Sequence, residues 1–473
     1  MSKTDHNAYD AIIIGAGIGG LVCGCYLAKA GMKVLIVEQH NKPGGCCVSF
    51  KRHGLTFDAA PHCFGSYRKD GLTRKILEDL GIDKKLNIIR PDPTDTIITP
   101  DYKISFWSNI QETVKEFCVA FPKEAENITK FFDLLLHADL HAFSRMKSWT
   151  FNNLLDKYFT NDKLKFVLAA PLLGFNGLPP SLMSAFVGSK IFSEFLLDGG
   201  YYPVGGMQAL PNAMSEKFVE LGGELKLSNL VTKIICSNGS ITGVVIGGRE
   251  VIPAKYVISD CDARQTFLKL LGRENVEDEF ACTMEDMVPS GSNFILYLGI
   301  NEQFTSLLKP GTTICFFSHY NLERAYQAAQ EGDIENYGGF SIRVSHDRST
   351  LGGLIPAPFK NKEYWMDNKQ YFLEFFIKQI EKNLIPDLKK YITYKEAATP
   401  FTIYKYTLNY KGASYGWAGI PSQFARPGFR KPSFVQNLYL TSHWTTLGVG
   451  ISGVVYFGYD TAKLIAKKER IKI

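Results

Sequence analysis

A glycine-rich turn near the N-terminus constrains the fold more than any other feature of the sequence. The β-branched run of residues 9–14 enters Gly15-Ala16-Gly17-Ile18-Gly19-Gly20. Small and apolar residues at 21–30 predict a helix, and residues 33–37 predict a second buried strand that ends at Glu38. This order of strand, glycine turn, helix and strand is typical of the first unit of a Rossmann-type fold, which binds a dinucleotide.

Each glycine of the turn has a physical role. Gly15 permits the tight turn, Gly17 lets the backbone approach a pyrophosphate, and Gly20 lets the helix pack close to the strand. The helix begins near Ile18, where free amides and the positive end of the helix dipole favour a pyrophosphate. Glu38 can accept hydrogen bonds from the adenosine ribose, and its charge would repel a 2′-phosphate, which excludes NADP as the resident cofactor of this site.

Composition narrows the class of protein. The chain has 473 residues, of which 45% are hydrophobic, so it can bury a large core and should divide into two or three domains. The net charge of +6 is not concentrated in a long basic block, so nucleic acid is not an expected partner. Ten cysteines lie without paired C-x-x-C units and mostly in apolar runs, Cys282 among them, which predicts reduced core thiols and no metal site.

Targeting signals are weak. Residues 1–10 are polar and carry no apolar signal core, and no window reaches the roughly 18 apolar residues that a spanning helix needs. We therefore expect a cytoplasmic protein whose membrane contact, if it has any, is peripheral. The mild basic excess and 13% aromatic content are compatible with such contact and equally with an ordinary solvated surface.

The remaining pattern predicts an α/β protein with two domains. A discontinuous Rossmann-type domain takes residues 1–88, 200–285 and 430–473, and an α+β substrate-binding domain with an aromatic-rich helical part takes residues 89–199 and 286–429. Within the first domain, strands are expected at residues 224–227, 230–236, 241–246 and 255–259. Asn238-Gly239 and Gly247-Gly248 are the expected turns between strands.

The last segment again combines a strand with a glycine-lined helix. Residues 437–444 predict a strand, and Gly448, Gly450 and Gly453 open a helix that runs to about Lys468. Amides at the start of this helix could lie against the O2 and N1 edge of a flavin and stabilise the negative charge of its reduced form. Taken by itself, this segment is only another glycine-rich turn, but beside a dinucleotide-type turn at the N-terminus it is compatible with FAD.

Further motifs connect these two ends of the chain. They are Lys42-Pro43-Gly44-Gly45-Cys46-Cys47, Phe57-Asp58-Ala59-Ala60-Pro61-His62, Tyr202-Pro203-Val204-Gly205-Gly206-Met207, Val231-Thr232-Lys233-Ile234, Tyr256-Val257-Ile258-Ser259, Thr399-Pro400-Phe401-Thr402 and Gly412-Ala413-Ser414-Tyr415-Gly416-Trp417. In this order the set resembles the phytoene desaturase, carotenoid isomerase and retinol saturase group of FAD-dependent enzymes, within the wider amine-oxidase-like flavoprotein superfamily.

The resemblance implies roles for particular residues. Gly44 and Gly45 would pass close to the cofactor, and Val231 would contact the adenine through its backbone. Ile451 and Ser452, which follow Gly450, would offer amides to the isoalloxazine. Cys46-Cys47 resembles the retinol saturase side of the group, where these would be small packing residues beside the flavin rather than a redox pair.

Two histidines occupy positions of interest within the resemblance. Where many members of the superfamily have Gly-Asp, this chain has Ser442-His443, so His443 would replace the carboxylate that binds the ribityl chain. His62 ends the Phe-Asp-x-x-Pro motif and is a candidate catalytic residue near the flavin, although a lone histidine is more often a packed, hydrogen-bonded residue.

The resemblance also implies a reaction. An extended isoprenoid or polyene would enter an aromatic-walled tunnel and align a C–C unit against flavin N5, which can accept or return a hydride. Desaturation, saturation and redox-linked cis–trans isomerisation are all open. With no second glycine fingerprint for a nicotinamide, the electron partner stays open among quinone, oxygen and a transiently bound nicotinamide.

Two alternatives come from other classes of function. A flavin amine oxidase would hold a polar amine in an aromatic cage. A non-enzymatic prenyl-group carrier of the Rab escort type shares the fold without using flavin, and the intact Gly15, Gly17 and Gly20 together with Glu38 argue against it.

Overall fold

The computed structural model describes residues 9–60, 63–137, 144–306, 308–424, 426, 428–447 and 450–473. Within these ranges the strands form two seven-stranded sheets and two short two-stranded sheets. The strands are β1 (Tyr9–Ile14), β2 (Val34–Val37), β3 (Ser49–Arg52), β4 (Leu55–Asp58), β5 (Ile88–Ile89), β6 (Asp95–Ile98), β7 (Lys103–Phe106), β8 (Tyr202–Pro203), β9 (Glu224–Lys226), β10 (Val231–Ser237), β11 (Ser240–Ile246), β12 (Glu250–Ser259), β13 (Ser292–Ile300), β14 (Thr313–Phe317), β15 (Gly339–Val344), β16 (Thr350–Ala357), β17 (Ile392–Ala398) and β18 (Leu438–Leu440).

The α-helices lie mainly between the strands of the two large sheets. They are α1 (Ile18–Lys29), α2 (Leu72–Asp79), α3 (Ile110–Ala120), α4 (Ala125–His137), α5 (Phe151–Tyr158), α6 (Asp162–Asn176), α7 (Ala185–Ile191), α8 (Ala209–Glu220), α9 (Asp278–Asp286), α10 (Leu322–Glu331), α11 (Ile334–Tyr337), α12 (Lys362–Asn383), α13 (Pro400–Thr407) and α14 (Ile451–Glu469). Two short segments, Phe192–Leu197 and Gln265–Leu270, are π-helical.

The first large sheet has a parallel core of five strands in the order β9, β2, β1, β12 and β18. Parallel strands buried on both faces are expected to be continuous apolar runs, as Val34–Val37 is. The first half of β12 turns away from this core and pairs antiparallel with β11, which pairs antiparallel with β10. The sheet therefore collects strands from the beginning, the middle and the end of the chain.

Helices α1 and α14 pack side by side against the parallel core. A methyl group added at Gly458 of α14 would lie 2.5 Å from the carbonyl oxygen of Gly19, so the two backbones are in direct contact. Val22 and Val455, on α1 and α14, are fully buried. This pairing brings the start of α14 beside the start of α1.

The second large sheet has the order β17, β13, β16, β15, β14, β6 and β7, and only its β14–β6 pair is parallel. One face packs on helices rich in phenylalanine and leucine in a single apolar core. Among the buried side chains of that core are Phe131, Phe132 and Phe192. The opposite face contacts the β3–β4 hairpin, where the Tyr297 hydroxyl donates a hydrogen bond of 2.5 Å to the carbonyl oxygen of Ala59.

The C-terminal strand is shorter than the sequence predicts. β18 covers only Leu438–Leu440, because the chain turns immediately after it. Ser442 Oγ donates to the carbonyl oxygen of Cys261 at 2.7 Å and accepts from the Trp444 amide at 3.2 Å, which holds this turn. Conversely, β12 begins five residues before the predicted strand, because its first half belongs to the hairpin with β11.

The cysteine prediction is wrong for one residue. All ten cysteines are free thiols, but Cys282 is exposed. It lies on the solvent side of α9, whose buried residues are Ala281 and Met284. The described histidine, cysteine and carboxylate side chains form no cluster that could hold a metal ion, and each described helix is too short or too polar to cross a bilayer.

Candidate functional site

The N-terminus of α1 is built from glycines that nothing larger could replace. Gly15 has φ of +99°, and a methyl group at Gly20 would lie 2.5 Å from the Gly15 carbonyl oxygen. Gly17 is the N-cap of α1, and Ile18 is its first residue. Because the first amides of an α-helix have no acceptor within the helix, this end is suited to an anion.

Glu38 follows β2 and holds the turn together. Its buried carboxylate accepts the Ala16 amide at 2.8 Å through Oε2 and the His40 amide at 2.9 Å through Oε1. Each carboxylate oxygen can accept a second hydrogen bond, so a ribose hydroxyl could still bind. The spacing predicted a ribose contact for Glu38, whereas the two amide contacts by which it holds the turn were not predicted.

The Gly44-Gly45 segment crosses directly over the turn. The Gly44 amide donates to the Ala16 carbonyl oxygen at 2.8 Å, and a methyl group at Gly45 would lie 3.3 Å from the Cα of Gly17. Burial raises the pKa of the adjacent Cys46 thiol to about 11 and raises that of the Cys47 thiol well above its ordinary value. Both thiols are therefore neutral at physiological pH, in keeping with a packing role.

Val231 is brought to the same end of the sheet by the segment before it. The Asn229 amide donates to the Glu38 carbonyl oxygen at 2.9 Å, and Val231 begins β10 as a buried residue. The predicted contact of its backbone with an adenine stays a prediction.

The C-terminal segment supplies the other half of the site. A methyl group at Gly19 would lie 2.5 Å from the Thr441 carbonyl oxygen, so the turn after β18 lies against the start of α1. Gly450 is the N-cap of α14, and Ile451 and Ser452 are its first two residues. Of the sequence-predicted residues, His62 lies outside the described residues, as does Gly448.

Polar atoms without partners mark this region. His443 Nε2, Thr441 Oγ1 and Ser452 Oγ are all buried and have no hydrogen-bond partner among the described residues. Burial lowers the pKa of His443 to about 4, so its ring is neutral at physiological pH and can both donate and accept. Buried polar atoms are costly to leave unpaired, and a polar ring system such as a flavin would satisfy them.

The residues over the glycine turn are more exposed to solvent than the strands beneath them. Gly17, Gly45, Cys46 and His443 keep part of their surface accessible, whereas β1 and β2 beneath them are almost wholly buried. The surface over the turn is thus open to a ligand. The residues present therefore fit a flavin dinucleotide.

Aromatic side chains lie near the start of α14. A methyl group at Gly450 would lie 2.5 Å from Cζ of Phe195, whose ring centroid is 6.0 Å from that of Phe175. Phe195 belongs to the π-helical segment Phe192–Leu197, a geometry often found at functional sites. The Tyr415 hydroxyl donates to the Gly174 carbonyl oxygen at 2.8 Å.

Sequence reasoning missed Asp260. The residue follows β12, and its amide donates to the Ile14 carbonyl oxygen at 2.8 Å. Its carboxyl group lies against the start of α1, since a methyl group at Gly17 would lie 2.4 Å from Asp260 Oδ2. The signal that could have found it is the parallel pairing of β1 with β12, in which Ile14 pairs with Ser259, so that both strands end at the same edge.

Relatives with curated functions match this chain over nearly its full length. Prolycopene isomerase of Daucus carota is 25% identical and the match covers 97% of this chain and 80% of that protein. Phytoene desaturase (lycopene-forming) of Pseudescherichia vulneris is 24% identical, with 96% and 98% covered. All-trans-retinol 13,14-reductase of Danio rerio is 24% identical, with 91% and 82% covered.

A solved structure and a family profile agree with these matches. The crystal structure of an oxidoreductase from Methanosarcina mazei superimposes with a TM-score of 0.68 at 17% identity, covering 96% of this chain and 99% of that one, which supports the fold. The predicted two-part α/β fold and the resemblance to the desaturase, isomerase and saturase group are confirmed. The profile described as flavin containing amine oxidoreductase matches residues 18–311, more than half of the sequence. The chain belongs to the flavin containing amine oxidoreductase family, and it is an enzyme that uses a flavin.

Proposed function

We propose that this enzyme uses FAD to desaturate, saturate or isomerise an extended, apolar polyene of the carotenoid or retinoid kind. One observation carries the proposal: relatives with three different reactions, on prolycopene, phytoene and retinol, each match more than nine-tenths of this chain. Their substrates share a long hydrocarbon with repeated double bonds, so the substrate class is better supported than the direction of reaction.

FAD, rather than a mononucleotide flavin, is supported by the two helix ends. The start of α1 would hold a diphosphate, Glu38 a ribose and Val231 an adenine, while Gly450, Ile451, Ser452 and His443 would surround the flavin ring system and its ribityl chain. Gly44 and Gly45 would lie between these two parts. When bound, the flavin supplies a centre that accepts or returns a hydride.

The protein's own residues favour a substrate without charge. Phe195 lies against Gly450 at the start of α14, Phe175 lies next to Phe195, and Tyr415 bonds to Gly174, which precedes Phe175 in the chain. Burial raises the pKa of Tyr415 to about 12, and the neutral state of His443 adds no charge. These groups can align a hydrocarbon by contact alone, and hydride movement does not require an acid–base pair.

Several further features stay predictions beside this proposal. They are the two domain boundaries, a cytoplasmic location with peripheral membrane contact, and an electron partner that is quinone, oxygen or a transient nicotinamide. The catalytic role of His62 also stays a prediction.

The proposal is tested with freshly purified protein and its bound flavin. We expect an oxidised flavin spectrum and release of FAD on denaturation. Under anaerobic conditions, oxidised and chemically reduced enzyme are each incubated with phytoene, prolycopene and all-trans-retinol, and the products are separated by chromatography. A changed polyene with matching change in the flavin bands supports the proposal, whereas hydrogen peroxide formed only with amines would replace it by the amine oxidase alternative.

A further inference from the structure

An acidic side chain occupies the place where the dinucleotide's phosphates are expected. The carboxyl group of Asp260 lies at the start of α1, where the amides of Gly17 and Gly20 act to lower its pKa. A methyl group added at Gly17 would lie 2.4 Å from Asp260 Oδ2, and one at Gly19 would lie 2.9 Å from Oδ1. Both oxygens of this carboxyl therefore face the glycine turn itself.

The position is fixed by the backbone rather than by a flexible side chain alone. The Asp260 amide bonds to the Ile14 carbonyl oxygen, and the Thr441 amide bonds to the carbonyl oxygen of Ser259. Asp260 is thus held between β1 and the turn after β18. A diphosphate that binds at α1 must lie beside this carboxyl group.

Negatively charged groups that gather at one helix end repel one another. The Asp260 carboxylate, the negative charge of Glu38 and a diphosphate would all lie around the same turn, and like charges at short distance favour protonation of the group with the weakest stabilisation. Glu38 is held as an acceptor by two amides outside the helix start. Asp260 competes with the diphosphate for the amides of α1 and is the group expected to take the proton.

We propose that binding of FAD is coupled to the uptake of one proton by Asp260, which remains at the turn as a neutral acid. The inference rests on the proposed FAD cofactor and assigns to that site a titrating residue. A neutral carboxyl group can donate a hydrogen bond to a phosphate oxygen, which a carboxylate cannot do.

Among the ionisable groups around the glycine turn, Asp260 is the one expected to change its protonation near neutral pH. Burial raises its pKa to about 8, with Glu38 adding to the rise and the two glycine amides opposing it. Four thiols face Asp260: Cys23 from α1, Cys46 and Cys47 from the segment after Gly45, and Cys261 from its own segment. Burial raises the pKa of each thiol well above the neutral range. Arg430, whose charge reaches Cys23, is paired with Asp460.

The test measures FAD binding to flavin-free protein between pH 6 and pH 9. Flavin fluorescence gives the Kd, and calorimetry in buffers of different ionisation enthalpy gives the number of protons taken up. We expect a nearly constant Kd below the pKa of about 8 and a weakening that approaches about tenfold per pH unit above it. Proton uptake should rise toward one per FAD bound; a flat Kd with no proton uptake overturns the inference.

Two variants identify the residue. Asp260→Asn keeps the size of the side chain but cannot titrate, so it should bind FAD with no pH slope and more tightly than the wild type at pH 9. Asp262→Asn is the matched control, because Asp262 is a buried carboxyl group that accepts the amides of Gln265 and Tyr410 instead of those of α1. It should keep the wild-type slope, and a slope lost in this variant instead would overturn the assignment to Asp260.

The outcomes separate this inference from the proposed cofactor. If the wild type binds no FAD at any pH, both the cofactor proposal and the proton coupling fail. If FAD binds with the same Kd at every pH in the wild type and in Asp260→Asn, only the proton coupling fails. The wild-type measurement is decisive even if a variant does not fold.

Discussion

At the scale of single residues, spacing along the chain predicted the turn but not what faces it. Gly15 and Gly20 are required by the geometry of one short segment, since Gly15 has a positive φ and Gly20 packs on the Gly15 carbonyl oxygen, so the sequence pattern alone predicts them. Asp260 reaches the same place through the pairing of strands that are far apart in the chain, and no local pattern contains that information. Glu38 is intermediate, because its position after β2 was predictable but its two amide contacts were not.

Glu38 carries the first prediction. Replacement by alanine removes the acceptor for the Ala16 and His40 amides and the expected acceptor for the ribose. Loss of a charge-assisted hydrogen bond costs about 1.5–3 kcal/mol, so the Kd for FAD should rise on the order of 10- to 100-fold. Ultrafiltration followed by flavin fluorescence measures the loss.

Glu38→Gln is the control for this prediction. The amide side chain keeps one acceptor oxygen without the charge, so its Kd should fall between those of wild type and Glu38→Ala. Equal flavin retention in all three proteins would remove Glu38 from the cofactor site.

At the scale of elements, helices were predicted better than the ends of strands. The apolar periodicity of α1 and α14 is local, and their bounds fall close to the predicted ones. The end of β18 depends instead on the side chain of Ser442, which bonds to a residue of another segment and turns the chain. The π-helical form of Phe192–Leu197 likewise has no signature in the spacing of its apolar residues.

The start of α14 carries the second prediction. A proline at position 452 removes one of the helix amides that are expected to stabilise the negative charge of reduced flavin, and proline is tolerated in the first turn of a helix. Ser452→Pro should therefore make the midpoint potential of the bound flavin more negative or weaken its binding. Ser452→Ala, which keeps the amide and removes only the hydroxyl, should change the potential less.

Spectroelectrochemical titration measures both variants against the wild type. Circular dichroism shows whether α14 is retained in Ser452→Pro. An unchanged potential and Kd in a folded Ser452→Pro protein would contradict the placement of this amide against the flavin.

At the scale of the whole molecule, the two short sheets β3–β4 and β5–β8 are joined through one carboxylate on the β3–β4 hairpin. Asp58 at the end of β4 accepts Ser49 Oγ at 2.6 Å, the Met207 amide at 2.9 Å and the Tyr202 hydroxyl at 2.8 Å. It therefore connects β3, β8 and the segment before α8. The sequence pointed to the Phe57-Asp58 motif, but only as part of a resemblance, because these partners come from distant segments.

Asp58 carries the third prediction. Asp58→Ala leaves three donors without their acceptor, and the free energy of unfolding should fall by roughly 2–4 kcal/mol. Tyr202→Phe removes one of these hydrogen bonds and should cost about 1 kcal/mol. Thermal unfolding followed by tryptophan fluorescence measures both variants against the wild type. A melting temperature of Asp58→Ala equal to that of the wild type would show that Asp58 does not connect these segments.

The contact of α14 with α1 also sets the order of events during protein synthesis. Thr441 and Gly458, which lie against the Gly19 backbone, are synthesised more than 400 residues after Gly19. A nascent chain that lacks residues 438–469 has the glycine turn but not the segments that lie against Gly19. We therefore expect the complete cofactor site to form only after α14 has been made.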